Sequence, residues 1–332
     1  MSDADQPGAY AVTNTGADGP EEHIPPQSIA PKRASVAPSS APGATNEERA
    51  AVALRLLSQC GPEDEGPALQ TLIGLGDAGL AAVESTFPGL LWFHRHLAHT
   101  SVPKGRDCGA SCRVIAAFGD AAIPTLQRLL VSHDAARYYA VLLATDLLDS
   151  APPAGTCDLA ASLMVRVLDV DVGVAEAAAR GLSARRNAPA VRAQAMALCN
   201  EVLDVTLSPE KRAIALKTLA VLRWRELVPV CIDLLSDADD RLHSMAAGTL
   251  RIMSASPAKS TLEWQRWFNK HGAEERVRWL IEGLDADDVQ CRSTAHQELL
   301  RLYGDVVAYD ASMGLQERRD AQRAFRDLTD LD

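Results

Sequence analysis

The stretch "LLSDADDRLHSMAAGTL", Leu234 to Leu250, decides how this chain is read. An apolar pair, Leu234 and Leu235, ends one run. The Asp-rich turn that follows supplies side-chain acceptors for the free N–H groups and positive dipole end of a new helix. Ala246 and Leu250 then sit four apart, on one helical face. A residue as small as Ala246 lets that helix press closely on its neighbour. The stretch predicts the end of a first helix, a turn, and a second helix.

Four other stretches have the same construction: "LLVSHDAARYYAVLLA", "VLDVDVGVAEAAARGL", "VTLSPEKRAIALKTL" and "GLDADDVQCRSTAHQEL". Their paired positions are Ala140/Ala144, Ala178/Leu182, Ala215/Leu219 and Ala295/Leu299. Counting Ala246, successive alanines stand 38, 37, 31 and 49 residues apart, the irregular period of stacked helix pairs with variable loops. Three copies carry an arginine three residues before the alanine: Arg137, Arg212 and Arg292. Two readings are open for these arginines. They bond the acids and carbonyls of an adjacent turn, or they form a functional ladder along one face.

The turn aspartate, the small residue of the second helix and the spacing of roughly 40 residues resemble HEAT repeats, close to the short bacterial type. The resemblance covers Pro124 to Leu300. It is weaker over Asn46 to Asp120, where "LGDAGLAAV" and "FGDAAIPTLQRLL" look like first helices. The end of the chain, from "TLEWQRWFNKHGAEERVRWLIEGL" through "VVAYDASMGLQERRDAQRAF", is similar to the closing region of uncharacterised bacterial HEAT-repeat proteins. The resemblance implies an all-α fold: an α-solenoid, a right-handed superhelix of stacked antiparallel helix pairs around a continuous core. It would span 45–332, with its clearest repeats at 121–303 and a capping segment at 304–332. It also implies a concave face, made by the second helices, that binds another protein.

Composition agrees with helices. Of 332 residues, 47% are apolar and only 5% aromatic, with strand-like β-branched runs scarce. The formal charge of −11 opposes nucleic-acid binding by the surface as a whole. The N-terminus lacks a basic-then-apolar signal, and no uninterrupted apolar run is long enough to span a bilayer. The expectation is a cytoplasmic protein with no membrane and no nucleic-acid partner. Residues 1–44 hold seven of the 18 prolines and almost no large apolar side chains, so a disordered tail is expected. Helix signals begin with Thr45 or Asn46 as N-cap, with Gly61 and Pro62 after the first helix. Ser208 with Pro209, and Ser256 with Pro257 and a closing Gly272, repeat the pattern. The seven cysteines, at 60, 108, 112, 157, 199, 231 and 291, read as reduced and buried thiols.

Two clusters are candidate sites. "LWFHRHLAHTSVPKGRDCGASC", Leu91 to Cys112, holds His94, His96, His99, Cys108 and Cys112. If Trp92 to Thr100 is helical, His96 and His99 share a face, and with Cys108 and Cys112 they offer a zinc-type ligand set. Against this, the histidines are three apart and the connection to the first thiol is only eight residues. The expectation is therefore ordinary residues at an inter-helical corner, with Trp92 and Phe93 packed inward, at least two histidines facing water, and no metal. The second cluster is aromatic. Trp264, Trp267 and Trp279, with Phe268, read either as a hydrophobic seam closing the last repeat or as a partner-binding patch. The patch would use Trp264, Trp267, Arg276 and Arg278, since Trp and Arg are favoured at binding hot spots.

Signatures of catalysis are missing from the sequence: no phosphate-binding Gly-rich loop, no GxSxG, no HExxH. The repeated His-Glu dipeptides of HEAT-like deoxyhypusine hydroxylases are absent as well. The acidic balance disagrees with HEAT-like alkylpurine glycosylases. No catalytic residue and no cofactor is assigned. The expected function is a scaffold or adaptor that binds a protein partner. The alternative is a HEAT-like enzyme or chromophore-handling protein of the lyase type, using the same groove.

Overall fold

The structure, a computed structural model, describes residues 44–59, 65–99, 101–148 and 155–330. Nearly all of the tail expected to be disordered, and Cys60, Gly61 and Pro62, lie outside these residues. The described chain is all-α. In order, the helices are α1 (Asn46–Leu57), α2 (Gly66–Gly74), α3 (Asp77–Thr86), α4 (Ala110–Ala117), α5 (Ile123–Leu130) and α6 (Asp134–Leu147). Then come α7 (Thr156–Arg166), α8 (Val172–Ala184), α9 (Pro189–Leu203), α10 (Pro209–Leu222), α11 (Leu227–Leu234) and α12 (Asp240–Ser254). The chain finishes with α13 (Thr261–His271), α14 (Arg276–Gly283), α15 (Val289–Tyr303) and α16 (Leu315–Thr329).

The packing order makes this an α-solenoid. Helices α5, α7, α9 and α11 form one row, each touching the next. Helices α4, α6, α8, α10, α12 and α15 form a second row, also touching in succession. Cross-row pairs α5/α6, α7/α8, α9/α10, α11/α12 and α14/α15 are the five repeats read from the sequence. Ala140, Ala178, Ala215, Ala246 and Ala295 are all buried on the second helices, as are Ala144, Leu182, Leu219, Leu250 and Leu299 four residues on. Each alanine occupies a seam where helices approach closely. Ala246→Leu is accordingly expected to cost about 1–3 kcal/mol through overpacking, read as a lower denaturant midpoint at unchanged slope.

Caps fix where the second helices start. Asp239 accepts hydrogen bonds from the backbone N–H groups of Arg241 and Leu242, and Ser208 caps α10 with Pro209 in its first turn. Thr45 caps α1 through a reciprocal capping box with Glu48. For α13 the sequence-based start at Ser256 and Pro257 is corrected. Ala255 ends α12 in the left-handed region at φ 51°. The Ser254 hydroxyl accepts from Ser256 N–H, and a capping box of Ser260 with Glu263 starts the helix at Thr261 instead. Gly272 closes it as read.

The repeat arginines tie one repeat to the next. Arg137 on α6 reaches Asp169 in the α7–α8 turn at 3.2 Å. Arg212 on α10 reaches Asp237 in the α11–α12 turn at 2.5 Å and also donates to the Val202 carbonyl. Arg292 on α15 donates to the carbonyls of Ala286, Asp287 and Ala311, in the C-terminal segment. Asp169 and Asp237 each also accept a backbone N–H two residues on, from Asp171 and Asp239. The arginines thus act as connectors between successive turns.

The core is interrupted where the sequence period stretches to 49 residues. Helix α13 is inserted between α12 and α14 and packs on α11, the place a next first helix would take. One apolar cluster runs from Ala50 to Trp264 and Trp279. A second, around Leu280, Leu284, Leu299, Tyr309 and Phe325, holds α14, α15 and α16 together. The expected continuous core is therefore two. Helix α16 caps the end: Gln322 donates to the Ile281 carbonyl, Tyr309 to the Leu284 carbonyl, and Arg318 pairs with Asp285.

Candidate functional site

The histidine–cysteine window is a folded-back loop. Leu91 bridges to Gly109, and the N–H groups of Trp92 and Phe93 both donate to the Cys108 carbonyl. This pairing replaces the helix considered for Trp92 to Thr100. His94, His96 and His99 are exposed, whereas Cys108 and Cys112 are fully buried. His99 lies against the Phe93 ring, with ring centres 4.3 Å apart, and bonds the His94 carbonyl; His96 Nε2 accepts from Arg95. The four candidate ligands are thus split between surface and core.

Burial pushes the Cys108 thiol up to about 12, and Cys112 higher still. Thiolate is the reactive form. At mildly alkaline pH, maleimide labelling of the native protein should therefore modify exposed Cys157 and leave Cys108 and Cys112 untouched, as read by peptide mapping.

The aromatic cluster is built from α13 and α14, with α15 and α16 still to follow. It lies where α13, packed on α11, meets α14. Trp264 is 1% exposed and Trp279 2%. Trp267 bridges them edge-on, at 5.7 and 5.1 Å between ring centres. Arg276 is turned inward: it donates to the carbonyls of Ile252 and Met253 and pairs with Glu298 at 2.7 Å. Trp264 is thus buried and the Arg276 side chain, 11% exposed, is engaged within the fold, so neither offers the open surface that the partner-contact reading required. Trp267 is half-buried and Arg278 exposed.

Sequence reasoning did not find a groove of about 730 Å³ at the edge between the second and third repeats. Met164 and Val165 of α7, Leu168 and Val170 of the following turn, Leu198 of α9 and Ile214 of α10 give it an apolar lining. Val165, Val170 and Ile214 are 61, 94 and 59% exposed. Arg137 and Arg166 in its wall are both paired with Asp169, while Lys211 stands at its rim. Its lining includes no histidine, cysteine or serine. The signal in the sequence was available: Val165, Val170 and Ile214 are large apolar residues at positions the repeat does not bury.

The second-helix row also carries exposed basic side chains. At about 100° per residue, the positions two and five after the repeat alanine lie opposite it; Leu142 and Thr145 of the first repeat are buried there, but the corresponding residues of the later repeats are not. Arg180 and Lys217 take the first position and Arg251 the second; Arg301 lies one residue further on α15. All four are exposed. Glu176 and Glu210 lie nearer the N-terminal ends of their helices. The exposed charged side chains in the C-terminal halves of α8, α10, α12 and α15 are thus basic in a chain whose net charge is −11.

No protein family matches this chain, and no curated protein matches it. Among solved structures, a crystal structure of an engineered protein from the Northeast Structural Genomics Consortium is similar at 18% identity. The match covers 75% of this chain and 67% of that one, with a TM-score of 0.30. Within the described residues no helix is long and apolar enough to cross a membrane.

Proposed function

We propose that the chain is a HEAT-like, non-catalytic adaptor that binds an acidic, apolar-bearing segment of another protein along its second-helix row. The observation that carries this reading is the exposed apolar groove around Ile214, lined also by Lys211, together with exposed Lys217, Arg180 and Arg251 on the second-helix row. Exposed apolar surface rimmed by charge is the form of peptide-docking sites. An apolar side chain of the partner would fill the groove while its carboxylates meet those basic side chains. The groove is open, and of the two acids that line it Asp169 is held by Arg137 and Arg166 while Glu201 is exposed. A chromophore-handling or enzymatic use of the same groove has no such support.

The test is fluorescence anisotropy with a synthetic peptide of alternating Asp/Glu and Leu residues. Binding should weaken with salt and fall about tenfold or more in a Lys217→Glu/Arg251→Glu variant, a loss of about 1.4 kcal/mol or more. Equal or tighter binding of a random-sequence DNA duplex, or peptide affinity unmoved by the double reversal, would overturn the reading.

A further inference from the structure

The inserted helix brings together three donor atoms from α13, the turn after it and α14. His271 ends α13, Glu274 stands in the following turn, and Glu282 lies near the end of α14. His271 Nδ1 is 3.0 Å from Glu274 Oε2 and 3.4 Å from Glu282 Oε2, and the three donors lie within 4.8 Å of one another. With metal bonds of about 2.0–2.2 Å, adjacent donors around one ion sit roughly 3–3.5 Å apart, so the two short separations match coordination edges.

Charge points the same way. Two carboxylates converge on one imidazole nitrogen, and among the described residues His271 is the only ion-pair partner of either. The last-turn carbonyls of α13 add negative potential.

The site is also held in place. Trp267 stacks on the His271 ring at 5.5 Å and 26°. The Trp279 indole N–H donates to the His271 carbonyl at 2.8 Å, and Arg225 donates to the Gly272 carbonyl. The Glu282 side chain is 41% exposed, so the donor set opens to solvent, with room for water to complete a coordination sphere.

We propose that His271, Glu274 and Glu282 form a binding site for a divalent first-row transition ion of the zinc class, which fastens the inserted helix to the repeat after it. The imidazole nitrogen sets the selectivity, because calcium and magnesium favour all-oxygen sets.

The experiment uses the full chain carrying Cys157→Ser, which removes an exposed thiol that could itself take up zinc. The protein is stripped with chelator, desalted and titrated with zinc chloride at neutral pH by calorimetry. One equivalent should bind with micromolar affinity and raise the melting temperature, and calcium or magnesium should not compete. Glu282→Gln should weaken binding by about tenfold or more while leaving the metal-free melting temperature unchanged. His271→Gln should weaken it similarly. Absence of stoichiometric zinc binding, or binding that survives both substitutions, would overturn the proposal and leave His271 as an ion-pair partner of the two glutamates.

Discussion

Replacing Glu298 with glutamine is expected to lower stability by about 3 kcal/mol, the scale for breaking a buried charge pair. Glu298 on α15 is 6% exposed and receives three arginines. Arg223, in the left-handed region at the end of α10, grips it with two bonds of 2.7 Å. Arg276 from α14 adds one at 2.7 Å, and Arg301 a longer contact at 3.3 Å. Arg276 also satisfies the carbonyls of Ile252 and Met253, so one carboxylate joins α10, α12, α14 and α15 at the break between the two cores. Glutamine keeps the shape but leaves Arg276, largely buried, and Arg223, half-buried, without a counter-charge. Arg301, mostly exposed, contributes little.

The same site predicts a pH signature. Although burial opposes ionisation, the bonds and charges of Arg223 and Arg276 hold Glu298 at about 2, below its ordinary 4.5. A carboxyl whose folded-state value is depressed stabilises fully above the ordinary value and loses that contribution as pH falls through the folded one. The stability gap between the native chain and Glu298→Gln should be full at neutral pH and shrink between about 4.5 and 2. A gap below 1 kcal/mol at neutral pH, measured by urea unfolding, would mean that the repeats do not depend on this junction.

Gly105→Ala is expected to be as damaging, at about 3 kcal/mol or more, because the obstruction is backbone. A Cβ at Gly105 would stand 2.5 Å from Leu143 N and 2.6 Å from the Leu142 carbonyl carbon, inside α6. Neither atom can rotate away, so the loop or the helix must shift, and overpacked cores lose 1–3 kcal/mol or occasionally more. Gly248→Ala, in open space on α12, is the matched control and should be neutral or slightly stabilising. Equal melting temperatures for the two variants would contradict the close docking of this loop on α6.

The loop and the junction divide what sequence carries from what packing adds. Local chemistry determined the repeats. An acid or Ser-Pro cap, then apolar residues every three or four, specifies a helix start and its buried face without reference to distant residues. Hence Ala140, Ala178, Ala215, Ala246 and Ala295 could be placed in the core from spacing alone. The connector role open to Arg137 and Arg212 was legible for the same reason, since their acids recur at fixed turns.

What the sequence left open depended on residues far apart in the chain. Trp264 and Arg276 looked like binding residues because composition cannot tell a buried tryptophan from an exposed one. Arg276 was drawn inward by Glu298, 22 residues away, and by carbonyls of the preceding repeat. His96 and His99 were parted from Cys108 and Cys112 by backbone bonds that fold the loop back on itself. The groove at Ile214 exists only because α7, α9 and α10 leave a gap between repeats. The His271, Glu274 and Glu282 constellation requires α13 to lie beside α14. Periodicity along one chain encodes which face of each helix is buried; only the packing of helix on helix decides which charged and polar side chains meet.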